Sequence, residues 1–253
     1  MRPYILAETN WDALKDQKIE LAILPWGATE AHNYHLPYST DNIEAELIAA
    51  ESARLAWDTG VKVIVLPTVP FGVNTGQKDI YLDININPST QLAIISDIVE
   101  VLNYQKIFKL LILNGHGGNE FKPIARELGL KYPDMYICIS NWYQVLNKKN
   151  YFESPGEHAD EMETSLLLHL RPDLVLPRKK WGEGKEKKNK IKAFEEGWVW
   201  AERKWDEITE DTGVGDPKPG SAEKGEKYFT DLTVKMSKLL CELCRADVGD
   251  LYE

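Results

Sequence analysis

A chain of 253 residues, 43% hydrophobic and 28% charged, can bury a full core, which excludes wholesale disorder and favours one large α/β domain over two small ones. Its 40 Asp+Glu against 30 Lys+Arg leave a net charge of −10, which argues against a nucleic-acid partner. No apolar run reaches the roughly 18 residues of a membrane span, residues 1–8 lack a secretory apolar stretch, and three cysteines are too few for a disulfide scaffold, so a cytoplasmic protein without a membrane partner is expected.

In chain order, Asn10 stands where it would cap a short helix, with Asp12 in the first turn. Residues 19–24 read as a buried strand ended by Pro25. Apolar side chains recur at Ile43, Leu47, Ile48 and Leu55, which predicts an amphipathic helix over 42–57 stopped at Gly60. Residues 61–66 are mostly β-branched and suit a parallel strand covered on both faces. Residues 80–86 alternate as a short strand or extended edge, and 89–103 form a helix with Leu92, Ile95, Val99 and Leu102 on one side. Residues 108–113 are another buried strand, followed by a helix over 120–130 and a strand over 135–140. This alternation predicts an α/β sandwich with a mostly parallel sheet, whose ligands bind at the carboxyl ends of strands.

Helical spacing resumes through the acids after His158, which places Glu163 near a helix start. Residues 178–192 carry eight Lys/Arg against two Glu and read as a solvated loop, with a lid for an anionic substrate as the alternative. The insertion is taken to run from about 178 to 221 within a single domain spanning 1–253. Trp198, Trp200 and Trp205 fall inside it and are expected to pack on the core, a subunit partner or the pocket wall. A helix over 225–247 closes the chain, with Cys241 and Cys244 on its apolar face rather than in a redox or metal site.

Two polar clusters follow predicted strands. The first holds Glu30, His32, His35 and Asp41, the second His116 among glycines. With His35 set aside, Glu30, His32, Asp41, His116 and Glu163 supply three carboxylates and two imidazoles. One metal needs about three protein ligands and a water, so five donors with one carboxylate shared match two divalent ions about 3.5–4 Å apart. Glu30 and His32 would face one way in an extended segment, Asp41 would cap the following helix, and the glycines beside His116 would let the backbone approach a ligand. His158 is the best remaining proton carrier. His35 reads as a supporting donor or pocket residue, and His169 as an ordinary helix residue.

Pro25-Trp-Gly-Ala-Thr-Glu30-Ala-His32-Asn-Tyr-His35-Leu-Pro-Tyr-Ser-Thr-Asp41 resembles the signature of the creatininase (creatinine amidohydrolase) family. Asn114-Gly-His116-Gly-Gly-Asn119 resembles its second block and His158-Ala-Asp-Glu161-Met-Glu163-Thr-Ser165 its third. The resemblance implies a three-layer α/β/α fold and a homo-oligomer, a hexamer or smaller. It also implies a divalent metal site, usually dinuclear, of zinc, manganese or iron. Carried over by motif, Glu30, His32, Asp41, His116 and Glu163 would be ligands, Asp41 the bridge and His158 the proton-transfer residue. Three positions depart from the pattern: Asn33 and Asp160 replace glycines, and Gly118 stands where creatininase carries an acid. The last makes creatinine an improbable substrate and puts weight on Glu163.

The activity expected is metal-assisted hydrolysis at a carbonyl of a small molecule, open or cyclic, with C–N cleavage preferred. Hydrolytic ring opening of a keto-inositol is the alternative, because Tyr34, Tyr38, Tyr81 and the tryptophans could stack on a ring. Lys78, Lys122 or the basic run could instead pair with a carboxylate. A metal-binding protein without activity and a purely structural protein are the readings from other classes. A dinucleotide enzyme is disfavoured, since no strand leads into G-x-G-x-x-G.

Overall fold

The computed structural model describes residues 2–154 and 156–252. Four parallel strands, β1 (Leu21–Trp26), β2 (Val63–Val65), β3 (Lys109–Asn114) and β4 (Tyr136–Asn141), form a sheet in the order β2-β1-β3-β4. The helices in chain order are α1 (Trp11–Leu14), α2 (Thr40–Trp57), α3 (Pro88–Tyr104), α4 (Lys122–Lys131), α5 (Glu161–Leu170), α6 (Lys192–Glu195), α7 (Trp205–Ile208) and α8 (Ala222–Arg245).

Side chains alternate across a strand, so each strand feeds two cores. Leu21, Ile23, Val63, Val65, Leu111 and Leu113 pack against α2, α5 and α8. Ala22, Leu24, Ile64, Leu110 and Ile112 face the opposite way, against Ile95, Val99 and Leu102 of α3 and Ile124 and Leu128 of α4. Each aliphatic side chain removed from water in this way contributes about 1.5–3 kcal/mol. The result is the expected α/β/α sandwich.

Several bounds differ from expectation for local reasons. Pro25 does not end β1: its missing N–H costs nothing there, while its carbonyl accepts from Val69 N (3.0 Å) and its neighbour Trp26 still pairs with Asn114. β2 is only three residues long and lies at the edge, yet both faces are buried. Its outer side is covered by the N-terminal segment, where Val65 N donates to the Tyr4 carbonyl (2.8 Å). Residues 80–86 make only isolated bridges, Thr29 to Ile84 and Gly72 to Asn85, outside the sheet. Asn10 does cap α1 through Oδ1 to Ala13 N, and Gly60 ends α2 at φ +96°. Cys241 and Cys244 are free thiols on α8.

Candidate functional site

β1 leads outward to β2 on one side, and β3 leads to β4 on the other, so the sheet reverses direction between β1 and β3. Loops leaving the carboxyl ends of such neighbouring strands diverge and open a crevice. The loop after β1 brings Glu30 and His32 there, and the loop after β3 brings His116. Glu30 and His32 are not in a strand: a tight turn bridging His32 to Leu36, with Asn33 at φ +53°, folds them back. Asp41 is the second residue of α2 rather than its cap, where unsatisfied helix N–H groups favour a carboxylate. Glu163 lies in the first turn of α5. Asp160, standing where the family pattern has glycine, caps that helix by accepting from Met162 N (2.9 Å) and Glu163 N (3.1 Å).

All five donors picked from the sequence meet, and all are buried. Asp41 is central: Oδ1 lies 2.9 Å from His32 Nε2, and Oδ2 lies 3.1 Å from His116 Nδ1. Glu30 Oε1 is 2.8 Å from His116 Nδ1 and 3.9 Å from His32 Nε2, while Glu163 Oε2 is 4.0 Å from His32 Nε2. Ligand atoms converge in three triads, Glu30–Asp41–His116 and His32–Asp41–Glu163, which share Asp41, and Glu30–His32–His158. His158 joins from the cavity side, its Nδ1 3.7 Å from Glu30 Oε1.

Each imidazole is oriented by a backbone carbonyl. His116 Nε2 donates to Val73 O (3.0 Å), His32 Nδ1 to Glu30 O (3.1 Å) and His158 Nε2 to Ala31 O (2.8 Å). A carbonyl can only accept, so the proton sits on the outward nitrogen and the lone pair of the neutral ring faces the cluster. The two glutamates are also held, Glu30 by the Gln77 amide at Oε2 and Glu163 by Ala159 N–H at Oε2, the oxygen that faces His32.

The electrostatics ask for positive charge. Burial works against a charged ring, yet Asp41, Glu163 and Glu30 push His32 up to about 10. His116 is likewise raised well above its ordinary value, against burial, by Glu30 and Asp41. Burial, with Asp160 and Asp41 close by and only partly offset by His32, lifts Glu163 to about 8. Burial would raise Glu30, but His116, His158 and His32 hold it well below the usual carboxylate range. His158 is pushed down to about 4 by burial and by His32, so its ring stays neutral. Divalent cations would replace the protons this cluster otherwise collects, and His32 Nε2 and Asp41 Oδ2, both buried, have no hydrogen-bond partner. The donor set therefore fits a divalent-cation site.

Gly118 explains the departure at the second block. A Cβ there would run into the Val73 carbonyl and into His116 Nε2, the two atoms whose hydrogen bond orients His116. The space an acid would need is taken, and Glu163 reaches the cluster from α5 instead.

The crevice continues into a cavity of about 820 Å³, walled by Tyr143 and Lys148 and, opposite, by Trp200, Arg203 and Trp205. Trp205 is buried and meets the His158 ring edge-on with centroids 4.9 Å apart. Trp200 reaches the cavity wall while remaining 81% exposed, and Trp198, 72% exposed, packs on neither the core nor that wall. Tyr34, Tyr38 and Tyr81 lie outside the cavity, where Tyr34 and Tyr38 donate to the Glu210 and Tyr81 carbonyls. Lys78 and Lys122 are also outside it, and the cations at its wall are Lys148 and Arg203. His35 is a buried supporting residue, 2.9 Å from Thr164 Oγ1 and stacked on Trp181. His169 packs on Phe229, away from the site.

Sequence reasoning passed over Glu44 and Gln77. Glu44 is fully buried three residues after Asp41, both its oxygens lack a partner, and burial with Glu163, Asp41 and Asp160 raises its pKa well above the carboxylate range. An acid one turn from Asp41, among alanines, was its only signal. Nothing in the sequence near Gln77 marks it.

A family model described as creatininase, creatinine amidohydrolase, matches residues 7–240. A crystal structure from Bacteroides fragilis NCTC 9343, assigned by its name to the creatinine amidohydrolases, is 43% identical with a TM-score of 0.93, covering 100% of both chains. The mycofactocin precursor peptide peptidase of Mycolicibacterium smegmatis is 24% identical over 85% of this chain and 81% of its own length. The 3-dehydro-scyllo-inosose hydrolase of Thermotoga maritima is 29% identical over 63% of this chain and 53% of its own.

Proposed function

The chain belongs to the creatininase family and is a metal-dependent hydrolase, and from that premise we propose that it cleaves a C–N bond at the carbonyl of a small molecule, using two divalent ions shared across Asp41. The observation that carries this reading is that Asp41 turns one oxygen to His32 and the other to His116, joining the triads Glu30–Asp41–His116 and His32–Asp41–Glu163. Glu30 and His116 would complete one ion's ligands, His32 and Glu163 the other's. Zinc, manganese and iron all accept this mixture of imidazole and carboxylate. Bound there, the ions would lower the pKa of water towards neutrality and stabilise negative charge on a carbonyl oxygen.

The protein's own groups do the rest. Ala31 O fixes the His158 ring through Nε2–H, which leaves Nδ1 bearing a lone pair beside Glu30. Nδ1 takes the proton released by the attacking water and returns it to the leaving nitrogen. Trp205 covers the edge of this ring, which keeps bulk water from competing for that proton.

His158→Ala should lose about 10²–10⁴-fold in kcat while elemental analysis still finds two divalent ions per chain. Full turnover in that variant would remove His158 from the mechanism, and no metal in wild-type protein purified without chelator would end the reading. Ring opening of a cyclic polyol ketone is the second reading, favoured by Tyr143, Trp200 and Trp205 at the cavity wall, which can stack on a ring. Comparing creatinine, a formamide, a short peptide and an inosose under one metal separates the two. A homo-oligomer, hexamer or smaller, is also proposed, supported by the exposed apolar side chains of Tyr81, Leu82, Trp198 and Trp200. Among the described residues no helix is long and apolar enough to cross a membrane.

A further inference from the structure

Residues 181–216 form a strap that crosses the cavity and returns. Its two limbs run side by side: Gly215 N donates to Gly184 O (2.9 Å), and a Cβ at Gly184 would collide with the Gly215 carbonyl. Buried Asp211 knots them together, accepting from Gly184 N (2.9 Å), Gly213 N (3.0 Å) and Thr209 Oγ1 (3.1 Å). The glycine spacing at 182, 184, 213 and 215 is thus a packing requirement of paired limbs. At the far side of the cavity, Thr75 Oγ1 donates to Glu202 (2.6 Å), and the Arg203 carbonyl lies where a Cβ on Gly76 would be.

On the near side several bonds join the strap to the loop that carries the candidate ligands, Tyr34 Oη to Glu210 O (2.9 Å) among them, and Asn33 makes two. Asn33, beside His32, accepts through Oδ1 from Gly182 N (2.9 Å) and Tyr34 N (2.6 Å), and its own N–H donates to Thr212 Oγ1 (2.9 Å). The Thr212 hydroxyl then donates to Ala31 O (3.1 Å), the same carbonyl that orients the His158 ring. The strap also grips the His158 backbone, with Val214 N donating to His158 O (2.8 Å) and His158 N to Val214 O (3.2 Å). Both Asn33 and Thr212 hold left-handed backbone, at φ +53° and +62°. Asparagine tolerates this better than most residues, but glycine would adopt it at less cost. The side chain at 33 therefore has a use that its backbone angle does not explain.

We propose that Asn33 is a positioning residue, a clasp that fastens the 181–216 strap to the His32 loop and through Thr212 and Val214 keeps His158 in place. The proposal rests on the hydrolase reading only for the role of His158; the clasp itself stands on hydrogen bonds between the two loops. It makes the strap, with Trp200, Arg203 and Trp205, a specificity-determining wall that the Asn33 amide helps to fix at its Gly182 end.

The test uses full-length protein and three forms, wild type, Asn33→Gly and Asn33→Asp. Glycine keeps the backbone conformation and the N–H bond to Thr212 but deletes the Oδ1 bond to Gly182 N. Aspartate keeps the oxygen acceptor and adds a carboxylate beside buried Asp211. Hydrogen exchange read by mass spectrometry over 181–216 should be about tenfold faster in Asn33→Gly, the effect of losing one buried hydrogen bond, and return towards wild type in Asn33→Asp. Metal content should be unchanged in both, and any substrate turned over should show a larger rise in KM than fall in kcat for Asn33→Gly. Unchanged exchange in the strap of Asn33→Gly would overturn the clasp, whereas recovery with aspartate, against its repulsion by Asp211, would support it. Loss of bound metal in Asn33→Gly alone would also overturn it, by showing that Asn33 shapes the ligand loop itself. A wild type without metal would defeat the hydrolase reading and still leave the exchange result decisive.

Discussion

Asp83 shows how one side chain near the site sets a pH dependence of its own. Its Oδ1 accepts from Ala31 N (2.7 Å), but Oδ2 is buried without a partner. Burial, reinforced by Glu30 and opposed by the Ala31 bond, pushes its pKa from 3.8 up to about 7. Between those values the folded chain holds a proton that the unfolded chain has released, so this group makes stability fall as pH rises. The side-chain amide introduced by Asp83→Asn cannot ionise, and its oxygen can still accept from Ala31 N–H. Asp83→Asn should melt with wild type near pH 4 and above it at pH 8; parallel melting curves at both pH values would refute the assignment. The residue scale was also where the sequence was most legible. Glu30, His32, Asp41, His116 and Glu163 were readable because ligand chemistry is written in residue type and each follows a strand or opens a helix. Glu44, Gln77 and Asp83 were not, because what makes them unusual is burial, which depends on neighbours far away in the chain.

Among elements, long apolar periods were legible and short or compensated ones were not. The helices α2, α3 and α8 lie close to where 3.6-residue spacing put them. α3 buries its expected Ile95, Val99 and Leu102, and α8 packs its apolar face on α2 and α5. α2, by contrast, buries Ala45, Ile48, Ala49 and Ala53 and leaves Ile43, Leu47 and Leu55 half-buried. Residues 61–66 gave only a three-residue strand, because β1 pairs with residues 63–65 alone. The tryptophans of the strap misled for a different reason. Of the three places open to them, Trp205 is carried inward by α7, Trp200 stands at the cavity wall and Trp198 is exposed, a division that residue type alone does not encode. α8 owes its end to an element distant in sequence: Lys109 Nζ at the start of β3 donates to the carbonyls of Leu243 (2.7 Å), Cys244 (3.0 Å) and Ala246 (2.7 Å). A cation on the orphan carbonyls of a helix C-terminus satisfies them and opposes the helix dipole. Lys109→Met, which keeps the stem and removes the charge, should lower unfolding free energy by about 1–3 kcal/mol in denaturant titrations. A change within error would mean that water serves those carbonyls equally well.

For the whole molecule, the sheet order decides where function can be, since only between β1 and β3 do loops diverge, and it gathers acids there whose charge must be balanced. Without cations the balance is met by protons, and this fixes how stability responds to pH. Glu163 rises from 4.5 to about 8 on folding, so the folded chain retains a proton that the unfolded chain loses, and stability falls as pH climbs through that window. His32 rises from 6.5 to about 10, so its contribution is complete below 6.5 and is lost as pH passes towards 10. Both groups act in the same direction. Chelator-treated protein should therefore melt at a lower temperature at pH 9 than at pH 6. Divalent ions bind the deprotonated donors, so restoring them should stabilise the fold most at pH 9, by about 2.7 kcal/mol when free metal exceeds its dissociation constant about 100-fold. Calorimetry of the treated protein with and without added manganese or zinc at both pH values measures this directly. If the treated protein is more stable at pH 9, or if added metal stabilises it more at pH 6, then the cluster is not balanced by exchange of protons for cations, and Asp41 does not bridge a metal pair.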